Sequence, residues 1–439
     1  MKFLKFAVAA VFAATFSSAY AFHSGGVAEC EGCHSMHNSF EGGTNVTGRA
    51  PGTGAGPYLL KASDASGSCL NCHGAGTTRS SYHISTEGTL PYDTATIPQQ
   101  VTPGGDFSWL KKTMNGAIRG TAIADMNLGE RHGHNIVAND FGYAADETIT
   151  VAPGGSYPAS SLSCISCHDP HGRTRRFSDG TYATTGLPIF GSGSYNNSAA
   201  PILNVSAVGA YRILGGKDYS PVSVPGYAFA NQVPAAVVAS SYNRLENTAQ
   251  TGVAYGQGMS EWCANCHGAM LENAYASTAG HRHPAGNSAK LGATIAANYN
   301  KYLTSGVMTN TGTANAFSTL TPFEIGTNDY TVLQPIAVTA ANLTAQNMKN
   351  ADATNNVACV SCHRAHASGF DSGLRFFYLN EFMTVADASN LAAYDSSTTE
   401  NKINYGYSAA LQQQAYYGRP ASAFGPYARS QCNKCHAKD

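Results

Sequence analysis

Charge is scarce in this chain: 12% of its 439 residues are Asp, Glu, Lys or Arg, about half the share of an ordinary soluble domain. Basic and acidic residues number 26 and 27, a formal net charge of -1. That balance excludes a nucleic-acid binder, which needs clustered Lys and Arg to displace counterions, and the charge deficit excludes a disordered polyelectrolyte. Long apolar runs are missing after residue 21, so no later segment supplies the roughly 18 apolar residues of a membrane helix. No Leu stands at the lipid-attachment spacing before Cys30, which follows Val27, Ala28 and Glu29, so no lipid anchor is expected.

What precedes residue 22 reads as an export signal. Lys2 and Lys5 form a basic start, Phe6 to Ala14 an apolar centre, and Ala19, Tyr20 and Ala21 a small-x-small cleavage site. Cleavage leaves 24 basic against 27 acidic residues, near -3. The destination is extracellular or the outer cell surface, with the periplasm as the alternative.

The cysteines carry the chemistry. All 12 fall into six copies of Cys-x-x-Cys-His, at Cys30–Cys33–His34, Cys69–Cys72–His73, Cys164–Cys167–His168, Cys263–Cys266–His267, Cys359–Cys362–His363 and Cys432–Cys435–His436. Chance would give roughly 0.01 such matches in a chain of this composition. Two thiols three residues apart can add to the two vinyl groups on one haem edge, and the adjacent histidine then lies under the iron. Six covalent haem c groups are therefore expected. Disulfides, natural in an exported chain, leave the histidine of every motif unexplained. Zinc bound by paired CxxC units would have no use for a histidine directly after the second thiol.

Six of the 15 histidines are thus proximal candidates, leaving His23, His37, His83, His132, His134, His171, His281, His283 and His366. That suffices for six closed bis-histidine irons. His37, His171 and His366 each follow a proximal histidine by three residues, and neighbours on one helical face cannot reach opposite faces of one porphyrin. Each must serve a second haem, which ties pairs of irons within roughly 10 to 15 Å.

Length alone suggests two or three domains, but the 418 residues after the signal leave about 70 per motif, less than a domain each. We expect one hexahaem domain over 22–439, mostly irregular and loop-rich, with sparse short helices and the chain wrapped around a linear stack of haems. Gly/Ser/Thr/Asn-rich segments 42–56, 191–200 and 309–316 read as loops. Partial 3.6-residue periodicity predicts helices over 260–270, 287–303, 338–350 and 374–394. Motif spacings of 39, 95, 99, 96 and 73 residues show no solenoid repeat; Pro-Gly-Gly turns at Pro103 and Pro153 are the one echo. The 24 Tyr and 18 Phe read as packing for porphyrin faces rather than an electron relay. Arg173, Arg175 and Arg176 are candidates to pair haem propionates, with a solvated basic loop as the alternative reading.

Every attachment motif is the plain form, and no nucleophile elbow, phosphate loop or zincin motif is present. Electron transfer is the expected function, not catalysis. A reductase with one open iron and a monomeric periplasmic shuttle are the alternatives. A charge-poor surface favours association, and head-to-tail contacts that do not close make filaments.

The blocks Phe22 to His34, Ser166 to Gly172, Val208 to Gly216, Tyr227 to Ala236, Val253 to His267, Ser361 to Ser372 and Cys432 to Asp439 resemble the outer-membrane cytochrome S family. These are extracellular hexahaem cytochromes of metal-reducing bacteria that polymerise into conductive filaments. Segments 41–57, 308–351 and 387–415 lie outside the resemblance. It implies bis-histidine haems stacked in alternating parallel and T-shaped pairs, continuous between subunits, with His37 ligating a haem of the adjacent protomer. It implies distal ligands drawn from His23, His37, His83, His134, His171, His283 and His366, with His132 and His281 as surrounding or solvent-facing residues. Other cytochromes are then the electron donors, and external metal ions or minerals the acceptors. Six ferric haems with ionised propionates would move the charge from near -3 to about -9, so cationic acceptors are favoured.

Overall fold

The computed structural model describes residues 30–35, 57–74, 83–86, 98, 104–118, 121–127, 129–238, 253–271, 283–304, 321–337, 351–376, 414–416 and 430–436. The expected signal peptide, His23, His37 and His281 lie outside the described residues, as does the helix expected over 338–350.

Regular structure is sparse. Each attachment motif starts on or within a short helix: Cys30–Cys33, Ala65–His73, Cys164–Cys167, Met259–Cys263, Cys359–Cys362 and Gln431–His436. One helical turn is what the covalent chemistry needs, because it brings residues three apart to one side. The expected helix 260–270 is instead Met259–Cys263 followed by the 3-10 turn Gly268–Met270, and 287–303 is realised as Gly292–Thr304. Leu374 to Phe376, the described start of the helix expected over 374–394, is not helical.

The strands are short and antiparallel. β1 (Met114–Ile118) pairs with β2 (Thr121–Asn127); β3 (Arg175–Arg176) lies between β4 (Tyr182–Ala183) and β5 (Val208–Gly209); β6 (Ala235–Val237) pairs with β7 (Ala254–Gln257), and β8 (Phe323–Glu324) with β9 (Asn356–Val357). Among the described residues no one sheet organises the fold, and their apolar core is divided among three clusters. The first gathers Trp109, Tyr143, Tyr299, Phe370 and Tyr416; the second centres on Tyr211, Tyr255 and Met259, the third on Val237, Tyr330 and Leu333. Rings meet mostly edge to face, as Tyr299 and Phe323 do at 5.0 Å between centroids.

Candidate haem-binding sites

Contacts between motifs follow one rule along the chain. The first cysteines of the second and third motifs, Cys69 and Cys164, are within hydrogen-bonding reach, and so are Cys263 and Cys359 of the fourth and fifth. Across the intervening gaps the second cysteines are electrostatic neighbours, Cys33 of Cys72, Cys167 of Cys266 and Cys362 of Cys435, and a first cysteine is also near in each: Cys69 to Cys33, Cys263 to Cys167 and Cys432 to Cys362. The six motifs therefore stand in single file in sequence order, with two kinds of junction alternating.

The two first-cysteine junctions are built alike. Ser66, three residues before Cys69, accepts the N–H of Cys164 at 3.1 Å; Ser260, three residues before Cys263, accepts the N–H of Cys359 at 3.0 Å. Both serines are fully buried. Within the third and fifth motifs, Ser166 and Ser361 accept the N–H of the residue just before the motif, Ser163 and Ala358, at 2.9 and 3.0 Å. The sequence spacing shows no repeat, yet the structure carries one of two motifs per period.

The imidazoles meet in pairs across gaps. Ring centroids are 6.4 Å apart for His168 and His366, 5.9 Å for His267 and His134, and 5.9 Å for His436 and His283. An iron about 2 Å from each ligating nitrogen, with about 1 Å more to each ring centre, requires about 6 Å between centroids. Each pair joins a motif histidine to one of the predicted distal histidines, so donor set and spacing fit a bis-histidine haem. His83 sits beside the second motif through the N–H of Ile84, which donates to the His73 carbonyl at 2.9 Å. His171 is exposed just beyond the third motif, its N–H bonded to Asp169 at 3.0 Å.

Main-chain carbonyls orient the rings. A carbonyl only accepts, so an Nδ1 in contact with one carries the proton and leaves Nε2 for a metal. His34, His168 and His363 donate to the carbonyls of Tyr58, Arg212 and Ser372 at 2.9, 2.8 and 2.9 Å. These three acceptors share a left-handed backbone, with φ of 57°, 50° and 59°, and each precedes the Leu that bridges back to its histidine by two residues. The same left-handed turn thus recurs at one equivalent place in the three motifs whose histidine is followed by another three residues later. His267 donates to Pro153 at 2.8 Å and His134 to Ala365 at 2.7 Å.

Sequence reasoning missed these supporting residues, although the two Pro-Gly-Gly turns were a signal. One seats His267 through Pro153, with Gly155 so close to Cys266 that a Cβ would stand 1.7 Å from its carbonyl oxygen. The other lies against His366: Gly104 accepts the His366 N–H at 2.8 Å.

Other expected residues are placed differently. Arg173 pairs with Asp169 at 3.2 Å, and Arg175 bonds the carbonyls of Leu187, Arg173 and Thr184, so both are engaged within the protein. Arg176 is buried, with Nε lacking a hydrogen-bond partner, and of the three it best fits a propionate. His132 is not solvent-facing: it is fully buried, bonded through Nδ1 to the Trp109 carbonyl at 2.8 Å, and burial pushes it down to about 4. Loss of hydration also holds His168, His363, His134 and His366 below the usual histidine range, His366 lowest at about 3, with the facing His168 adding to it. Neutral imidazole is the metal-binding form.

No cysteine is in a disulfide. Among the described residues no three His, Cys, Asp or Glu side chains converge as a tetrahedral metal site requires, and no helix is long and apolar enough to cross a membrane.

No family model matches the chain. It is 57% identical over 426 residues to the C-type cytochrome OmcS of Geobacter sulfurreducens, covering 96% of this chain and 95% of that protein. Two solved structures match at 56% identity, each covering 95% of this chain and all of theirs. They are the cryo-EM structure of OmcS nanowires, with a TM-score of 0.81, and the outer membrane cytochrome S filament, with a TM-score of 0.79, both from Geobacter sulfurreducens.

Proposed function

Since the chain belongs to the family of the C-type cytochrome OmcS, we propose that it is an extracellular electron carrier that polymerises head to tail and passes electrons along six covalent haems to external acceptors. The observation that carries this reading is the single file of motifs with an open end on each side. Cys30 and Cys432 are exposed, whereas the other four first cysteines meet in pairs. Abutting Cys432 of one copy on Cys30 of the next would bring two first cysteines together a third time, with Arg429 in place of the junction serine, in a contact that does not close.

The two-motif period and the ring pairs support one reading of the distal ligands. His366, from the fifth motif, faces His168 of the third. The same step gives His171 to His34, and His37 of the next copy to His363. In the even-numbered motifs His83, His134 and His283 serve His73, His267 and His436. His23 is left without an iron.

Held by two thioethers and two imidazoles, each haem would supply a one-electron iron centre with no position open to substrate. The protein's part is to fix the rings. Carbonyls of Tyr58, Arg212, Ser372, Pro153 and Ala365 hold five imidazoles in one tautomer, and the alternating cysteine junctions keep neighbouring sites in contact. A holo charge of about -9 favours cationic metal ions and mineral surfaces as acceptors. His37→Ala tests the assembly: export and six attachments are expected to persist, one haem to turn high-spin in the visible spectrum, and filaments to vanish from micrographs. Normal filaments with six low-spin haems would overturn the reading.

A further inference from the structure

Seven described histidine rings have Nδ1 bonded to a main-chain carbonyl at 2.7 to 2.9 Å: His34, His132, His134, His168, His267, His283 and His363. His366 departs from this pattern. Its Nδ1 is buried with no hydrogen-bond partner. Gly104 covers that edge so closely that a Cβ there would stand 2.2 Å from Nδ1. The Gly104 carbonyl is already occupied by the N–H groups of His366 and Ala367, at 2.8 and 3.1 Å. Phe107 closes one face of the ring, stacked at 4.5 Å between centroids and 16° between planes.

A ring that donates Nδ1–H to a carbonyl gains imidazolate character and binds ferric iron more strongly; a ring denied that bond is the weaker donor and favours ferrous iron. The neighbouring pair, His267 and His134, has the bond on both sides. The Arg212 guanidinium is also near enough to His168 and His366 to act on both electrostatically, and a cation favours the added electron.

We propose that Gly104 and Phe107 are positioning residues that give the centre between His168 and His366 a higher reduction potential than the adjacent centre between His267 and His134. Added electrons then rest on the third site before the fourth, so the row of haems is uneven inside each subunit. The inference rests on the ligand reading above, that His366 and His134 are axial ligands.

The test is spectroelectrochemical titration of the haem-loaded, exported protein with His366→Met and His134→Met, because a methionine ligand raises the potential of its own haem and so tags it. The component that leaves the wild-type curve in His366→Met is expected to lie above the one that leaves it in His134→Met; the reverse order would overturn the proposal. If neither substitution alters the spectrum or the curve, the ligand reading itself fails. Phe107→Ala, which removes the ring stacked on His366 and lets the imidazole shift or admit water to Nδ1, is expected to lower one component and leave five in place; six unchanged components would count against the proposal. In the wild-type protein, cryo-EM density for an acceptor within about 3.2 Å of His366 Nδ1 would remove its premise without any variant.

Discussion

Replacing the buried junction serines tests whether the two-motif period is physical. Ser260 Oγ accepts the Cys359 N–H at 3.0 Å, and Ser66 Oγ accepts that of Cys164 at 3.1 Å. Both N–H groups open a one-turn helix, where no intrahelical acceptor exists. Ser260→Ala leaves a polar hydrogen orphaned in a buried place, a cost of about 1–3 kcal/mol. Ser66→Ala should cost the same, and the double variant about 2–6 kcal/mol, since the two bonds share no partner. Hydrogen exchange of the haem-loaded protein reads this locally: protection of the Cys359 amide should fall about 10- to 100-fold in Ser260→Ala, with Cys164 unaffected, and conversely in Ser66→Ala. Unchanged protection at Cys359, or clearly unequal losses at the two junctions, would refute the equivalence.

Other consequences follow from single residues. Glu324 is almost wholly buried, accepting the Met259 N–H at 2.7 Å, and burial pushes its carboxyl from 4.5 up to about 7. A raised folded-state value means its contribution is intact below about pH 4.5 and lost as pH rises through about 7, a span worth about 3 kcal/mol. Glu324→Gln should therefore flatten that part of the stability profile in denaturant titrations; an unchanged pH dependence would contradict it. Gly155→Ala would press a Cβ onto the Cys266 carbonyl and should destabilise the chain by about 1–3 kcal/mol, weakening the fourth haem's low-spin spectrum. Gly268→Ala, with no atom within 4 Å of the new carbon, should stay within about 1 kcal/mol of wild type.

The attachment residues were legible because covalent addition to one haem edge demands contiguous residues, and contiguity is what a sequence displays. Helix geometry predicts that His366 does not serve its own motif's iron, and in the structure its ring faces that of His168. Which motif histidine each remaining histidine faces is not legible, because the partners are remote: His134 lies opposite His267, and His283 opposite His436. The internal period was hidden for the same reason. Its signature is a serine three residues before Cys69 and Cys263, where Arg429 stands before Cys432, and intervening loops of unequal length mask it. Apolar periodicity does not mark the helix boundaries here, since Leu374 and Phe376 are held by packing in the aromatic first cluster rather than by an amphipathic helical face.

The most direct test of the central claim is electron cryo-microscopy of the exported, haem-loaded protein at a resolution that shows axial ligands. The account predicts a filament with six haems per subunit in the order of the motifs, His366 opposite His168, and His37 of the next copy opposite His363. Discrete particles, haems out of motif order, or an iron with water in its sixth position would contradict it.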